Sequence, residues 1–158
     1  MEPLGTLLFA GCRLPVTRAA FRYVSDGNDD PRSDEEVPGW DFDVCTGPPT
    51  DPPADESLRV LLSNGIRFYS ESDPIPLAKA DDLTGVALRL AEPFDSVSGE
   101  VYFTVYLGEH NDVSDLTLRF VERRGSRYRM QVSALVHSVF EAPTPFEIDT
   151  WIERLPDS

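Results

Sequence analysis

Leu116-Thr117-Leu118-Arg119-Phe120-Val121-Glu122-Arg123-Arg124-Gly125-Ser126-Arg127-Tyr128-Arg129-Met130-Gln131-Val132-Ser133-Ala134-Leu135-Val136 is the stretch that decides the fold. Before Gly125 the apolar positions are Leu116, Leu118 and Phe120; after it they are Tyr128, Met130, Val132, Ala134 and Val136. A period of two marks strands with one buried face. A loop of Arg124-Gly125-Ser126 then sets Arg123 opposite Arg127, Phe120 opposite Met130, Leu118 opposite Val132 and Leu116 opposite Ala134. A two-residue loop would set Phe120 opposite Arg129 and mix the faces, so this reading requires an odd loop.

Working outward, the same alternation recurs. Val86, Leu88 and Leu90 face in around an outward Arg89. Val101, Phe103, Val105 and Leu107 face in, with Glu100, Tyr102, Thr104 and Tyr106 outward. Further upstream, Trp40, Phe42 and Val44 point one way while Asp41, Asp43 and Cys45 point the other. Leu4–Ala10 and Val16–Val24 read as a strand pair joined near Leu14-Pro15. Leu58–Leu62 and Ile66–Tyr69 flank Ser63-Asn64-Gly65, a tight-turn signal that predicts a hairpin, with a short helical turn over Leu58–Leu62 as the alternative. Phe146–Leu155 fits an edge strand or, through Asp149–Arg154, a short helix. The expected fold is mostly β: residues 1–158 as one antiparallel meander, curled into a barrel or packed as a two-sheet sandwich, with at most one or two short helices.

Apolar and charged fractions of 41% and 27% are those of a folded domain, but the net charge of −14 is extreme. Residues 26–56 hold eleven carboxylates and one cation, Arg32, and include Gly47-Pro48-Pro49 and Asp51-Pro52-Pro53. This acidic, proline-rich loop region surrounds the anchored strand at Trp40–Val44. A field of this sign repels nucleic acid and anionic membrane and attracts a basic protein. Lys79 is the only lysine against thirteen arginines, the bias expected of a GC-rich, bacterial genome, with the alternative that planar, bidentate cations are wanted at particular sites.

Two cysteines, Cys12 and Cys45, suggest free thiols in a reducing compartment. The run Leu7–Cys12 faintly echoes a lipoprotein cleavage site, but Glu2 and the absence of a basic flank favour a first strand. No apolar run approaches the ~20 residues of a spanning helix. A cytoplasmic protein is expected.

No motif identifies an activity. Asp26-Gly27-Asn28-Asp29-Asp30 spaces its oxygens like a calcium loop, but Pro31 replaces the required glycine and Val37 the closing glutamate. His110, beside Glu109 and Asp112, and His137 lie on separate elements, with no nucleophile named by the sequence. No cofactor, metal or catalytic residue is expected.

Two surfaces remain. Asp29, Asp30, Asp34, Glu35, Glu36, Asp41 and Asp43 form the expected docking face for a basic partner, as in immunity-type inhibitors. The alternative is a small anionic-ligand module using Arg119, Arg123, Arg127 and Arg129, which the predicted register gathers on the outer face. Arginines placed directly opposite one another repel, and three agents could relieve them: counterions, the acidic segment, or an anionic ligand.

Overall fold

The computed structural model describes residues 3–24, 39–70, 75–94, 96, 99, 101–137 and 139–157. Among the described residues nine strands alternate with turns: β1 (Gly5–Phe9), β2 (Cys12–Val24), β3 (Gly39–Thr46), β4 (Arg67–Ser70), β5 (Ala87–Leu90), β6 (Phe103–Tyr106), β7 (His110–Arg124), β8 (Arg127–Val136) and β9 (Thr144–Arg154). A short helix, α1 (Glu56–Leu61), precedes β4. Neighbours run β7-β6-β4-β3-β2-β1-β9-β8, and β8 pairs back to β7. The result is a closed eight-stranded antiparallel barrel, which leaves no free sheet edge around the ring. β5 lies off the ring, against the half of β7 that β6 does not reach.

Each of the eight barrel strands sends at least one large aromatic ring inward, one per strand forming a central layer. In strand order these are Phe9, Phe21, Phe42, Phe68, Phe103, Phe120, Tyr128 and Phe146, all almost fully buried. Phe68 stacks on Phe103 at 4.7 Å between centroids, and Phe21 on Phe42 at 5.1 Å. Burying one such ring stabilises by about 2–3 kcal/mol, so this layer is the principal adhesive of the barrel. The barrel centre is therefore packed with side chains, as expected for eight strands.

Segment 75–86 closes one end. Leu77 and Leu83 are buried there, Trp40 Nε1 donates to Leu77 O (3.0 Å), and the Tyr128 hydroxyl accepts from the Leu83 amide (3.3 Å). At the other end Leu62 and Ile66 are buried. A barrel mouth open to ligand is thus not a feature of either end among the described residues.

Several sequence expectations need correction. The β1–β2 turn is Ala10-Gly11, with φ of 50° and 76°, not Leu14-Pro15, which lies inside β2. Positive φ at both central residues suits the right-handed twist of a two-residue hairpin. Residues 58–61 are helical, the alternative reading, because Asp55 caps the Leu58 amide at 2.9 Å and starts a helix at Glu56. Phe146–Leu155 is a strand and not an edge: β9 runs between β1 and β8. Thr104, expected outward, is buried.

The decisive hairpin also differs. Phe120 does face Met130 and Leu118 does face Val132, but the turn is the two residues Gly125-Ser126, with Arg124 opposite Arg127 and Arg123 opposite Tyr128. A bulge between Phe120 and Glu122 absorbs one residue, which lets an even loop keep the faces in phase. A second bulge, between Ser114 and Thr117, removes the expected Leu116–Ala134 pair.

Candidate functional site: the outer face of β1, β9, β8 and β7

Because β9 joins the sheet beside β8, its outward side chains meet those of β8 directly. Gln131 faces Asp149, Ser133 faces Glu147, Arg129 faces Trp151 and Arg127 faces Glu153. The arginines find carboxylates here. Arg129 grips Asp149 with two bonds (2.8 and 3.0 Å), and Gln131 adds a third at 3.4 Å. Arg127 Nε lies 3.1 Å from Glu153, and Arg129 also stands 4.0 Å from Glu122. Arg123 reaches Asp82 at 3.8 Å and donates to the Gly125 and Asp81 carbonyls. Arg119 Nε donates to Gln131 Oε1 at 2.9 Å. The Arg129 guanidinium holds the Asp149 carboxyl below the ordinary carboxylate range, and Asp149 raises Arg129 in return.

These contacts answer the repulsion problem. Among the described residues, the outer arginines are relieved by carboxylates on β9, on β7 and in segment 75–86. Arg124, set opposite Arg127, rests over the Trp151 ring at 5.0 Å.

The curled face leaves a groove of 780 Å³. Arg13 of β2 and Arg119 of β7 stand at its two sides, and Thr6, Leu8, Ser133 and Glu147 lie between them. Of the four arginines proposed from sequence, Arg119 and Arg129 line this groove, whereas Arg123 and Arg127 do not. Arg13, Glu147, Asp149 and Trp151 were missed. The alternation Phe146, Ile148, Thr150 and Ile152 against Glu147, Asp149, Trp151 and Glu153 carries the signal that would have found the last three.

Of the acidic candidates, Asp41 and Asp43 fall among the described residues. Asp29, Asp30, Asp34, Glu35 and Glu36 lie outside the described residues, as does the calcium-like loop. Asp41 is exposed on β3 and accepts from Ser70 Oγ (3.2 Å). Asp43 is half-buried between Arg18 and Arg67, each at 2.9 Å, so its charge is already spent. Cys45 sits beside it as a free thiol, as does buried Cys12 elsewhere. Burial and the Asp43 carboxylate push the Cys45 thiol up, against the opposing pull of Arg18 and Arg67.

The histidines also occupy defined places. His110 begins β7 and packs edge-on to Tyr106 at 5.3 Å. His137 follows β8, and its Nε2 lies 2.5 Å from Ser114 Oγ beside the bulge where Asp115 has φ of 50°. Ser114 is a nucleophile type that sequence reasoning missed. Among the described residues no carboxylate bonds to His137, so the pair clasps a strained bulge and lacks the third member of a triad. No group of three or more metal-ligating side chains exists among the described residues, and no helix there is long and apolar enough to cross a membrane.

Comparison with protein families, with curated proteins and with solved structures finds no match to this chain.

Proposed function

We propose that this barrel is an acidic binding domain, of the inhibitor type, that docks on a basic protein. The observation that carries the reading is the way the outer arginines are neutralised. Arg123, Arg127 and Arg129 take Asp82, Glu153, Asp149 and Glu122, none of which belongs to residues 26–56. These pairs draw on none of that segment's −10 formal charge, of which Arg18 and Arg67 already hold Asp43, and a cationic partner is the natural complement of the rest. Asp41 offers a fixed carboxylate at the edge of this region, held on β3 by the buried Trp40 and Phe42. Asp43 contributes little, since Arg18 and Arg67 already hold it.

The test compares the native protein with a variant in which Asp29, Asp30, Asp34, Glu35 and Glu36 become their amides. Both are used for affinity capture at low and high salt, and the captured partner is then purified and titrated. A basic protein bound stoichiometrically, released by salt, and bound at least 100-fold more weakly by the variant at low salt supports the reading. Equal affinity of the two proteins for that partner, or capture of no basic protein, overturns it.

A further inference from the structure

We propose a second binding site, independent of the acidic face: the outer surface centred on Thr117, where β5, β7 and β8 lie side by side, binds the phosphate group of a small ligand. The register assembles it. Arg89 of β5 stands directly opposite Thr117 on one side, and Ser133 of β8 stands directly opposite it on the other. Arg119 follows two positions along β7. Directly opposed residues share a face of the sheet, as do residues two apart on one strand. Leu88, Leu90, Leu116, Leu118 and Val132 are all buried, so Arg89, Thr117, Arg119 and Ser133 share the outer face.

The spacing is that of immediate neighbours. Opposed residues hold their Cβ atoms about 4.5–5.5 Å apart, and a two-residue step along a strand is about 7 Å. Thr117 is thus within one such step of each of the other three, and an arginine side chain at that range is long enough to reach over its hydroxyl. Arg119 Nε is already fixed on Gln131 Oε1 of β8 at 2.9 Å, which leaves both terminal amino groups of its fork free. Thr117, Arg119 and Ser133 line the 780 Å³ groove, and Arg89 flanks it across Thr117.

Charge carries the argument further. The chain has 28 carboxylates against 14 cations, yet among the described residues neither Arg89 nor Arg119 pairs with a carboxylate. Asp115, two positions before Thr117, and Glu147, opposite Ser133, belong to the same neighbourhood, and neither forms an ion pair with these arginines. Ala87 faces Arg119, so Arg89 and Arg119 are diagonal neighbours of like charge, a repulsion that a bound anion removes. The hydroxyls of Thr117 and Ser133 have no hydrogen-bond partner among the described residues either. Two guanidinium forks and two hydroxyls offer donors from several directions. A tetrahedral phosphate has acceptor oxygens on more than one side to take them, whereas a planar carboxylate has only two. Guanidinium in particular binds phosphate bidentately.

The test is NMR titration with inorganic phosphate, phenyl phosphate and acetate, at fixed pH and ionic strength. Inorganic phosphate should shift the amides of Thr117 and Ser133 and the Nε–H signals of Arg89 and Arg119 saturably, and acetate should bind about tenfold more weakly or worse. Phenyl phosphate separates the two sources of such a group. Tighter binding than inorganic phosphate marks an esterified ligand whose organic part lies along the groove, and binding no tighter marks the free ion; both support the site. Arg89→Gln and Arg119→Gln should each weaken phosphate about tenfold. Arg13→Gln removes the same charge from β2, on the other side of the groove, and should leave the affinity unchanged. All three arginines are exposed, so the variants should keep the native spectrum elsewhere. Shifts that do not saturate, meaning an adventitious ion only, overturn the proposal. So do equal binding of acetate, unchanged affinity in both Arg89→Gln and Arg119→Gln, or an equal loss in Arg13→Gln. None of these outcomes depends on residues 26–56, so failure here leaves the basic-partner reading standing, and the reverse.

Discussion

Asp149 is the most connected carboxylate on the outer face, and its depressed pKa makes a stability statement. A carboxyl whose folded value lies below its unfolded value contributes stability above the unfolded value, and loses it as pH falls through the folded one. Asp149→Asn should therefore cost about 0.5–1 kcal/mol at pH 7, a figure kept small because the pair is solvent-screened. The difference between native and variant should shrink as pH falls below the ordinary carboxylate value of about 4, as followed by denaturant unfolding at a series of pH values. A difference that stays constant as the solution is acidified would sink the linkage. Gly5 raises a different issue, since it is the point where β1 narrows between β2 and β9. A Cβ there would lie 2.2 Å from the Asp149 carbonyl oxygen and 2.3 Å from Thr150 Cα, both backbone atoms that cannot swing aside. Gly5→Ala should destabilise by about 2–3 kcal/mol, the upper range for overpacking, and an unchanged denaturation midpoint would show that the strands part readily.

At the scale of elements, α1 and the turn after it separate two kinds of apolar residue. Val60 is 66% exposed, whereas Leu62, just past the helix, is fully buried at the end of the barrel. Leu62→Ala should cost about 2–4 kcal/mol, and Val60→Ala less than about 0.5 kcal/mol, measured by the same unfolding assay. Similar costs would mean that α1 docks through Val60 after all. The Leu58–Leu62 segment also shows where sequence reading runs out. Its Asn64-Gly65 signal is real, with Gly65 at φ of 76°, but a turn signal does not say whether a helix or a strand precedes it. Facing was legible wherever one face is buried: Trp40, Phe42 and Val44, and the β8 positions from Tyr128 to Val136, all point inward as read. Register was only partly legible, because the bulges at Val121 and Asp115 leave no compositional trace, and each shifts everything beyond it by one residue. The arginine pairs were hidden for a further reason. Arg127–Glu153 and Arg129–Asp149 form between β8 and β9, and a segment left open between strand and helix cannot be assigned a neighbour. Arg13 was invisible for the same cause, since its place in the groove depends on β1 lying between β2 and β9.

For the whole molecule, the balance between favourable pairs and net repulsion sets the response to ionic strength. At −14 the summed repulsion should outweigh the outer-face pairs. Raising salt from 0.01 to 0.15 M shortens the screening length from about 30 to 8 Å and should raise the Tm by about 2–4 °C, an effect of roughly 1 kcal/mol. A fall in Tm under the same titration would show that pairs such as Arg127–Glu153 dominate instead. Closure of the ring carries a consequence of another kind. Beyond the end of β1, β2 and β9 meet directly in parallel, Ala20 beside Glu153 and Phe21 beside Arg154, and β9 alone bridges β1 to β8. During synthesis, at about 5–20 residues per second, β1 and β2 emerge many seconds before their partner does. Until β9 arrives, β1 and β8 each present an unpaired edge and Phe9, Phe21 and Phe42 lack part of their cover. The nascent chain thus spends its longest interval in the form most prone to sticking to its neighbours, and a ribosome stall shortly before β9 should yield aggregate where the finished chain does not.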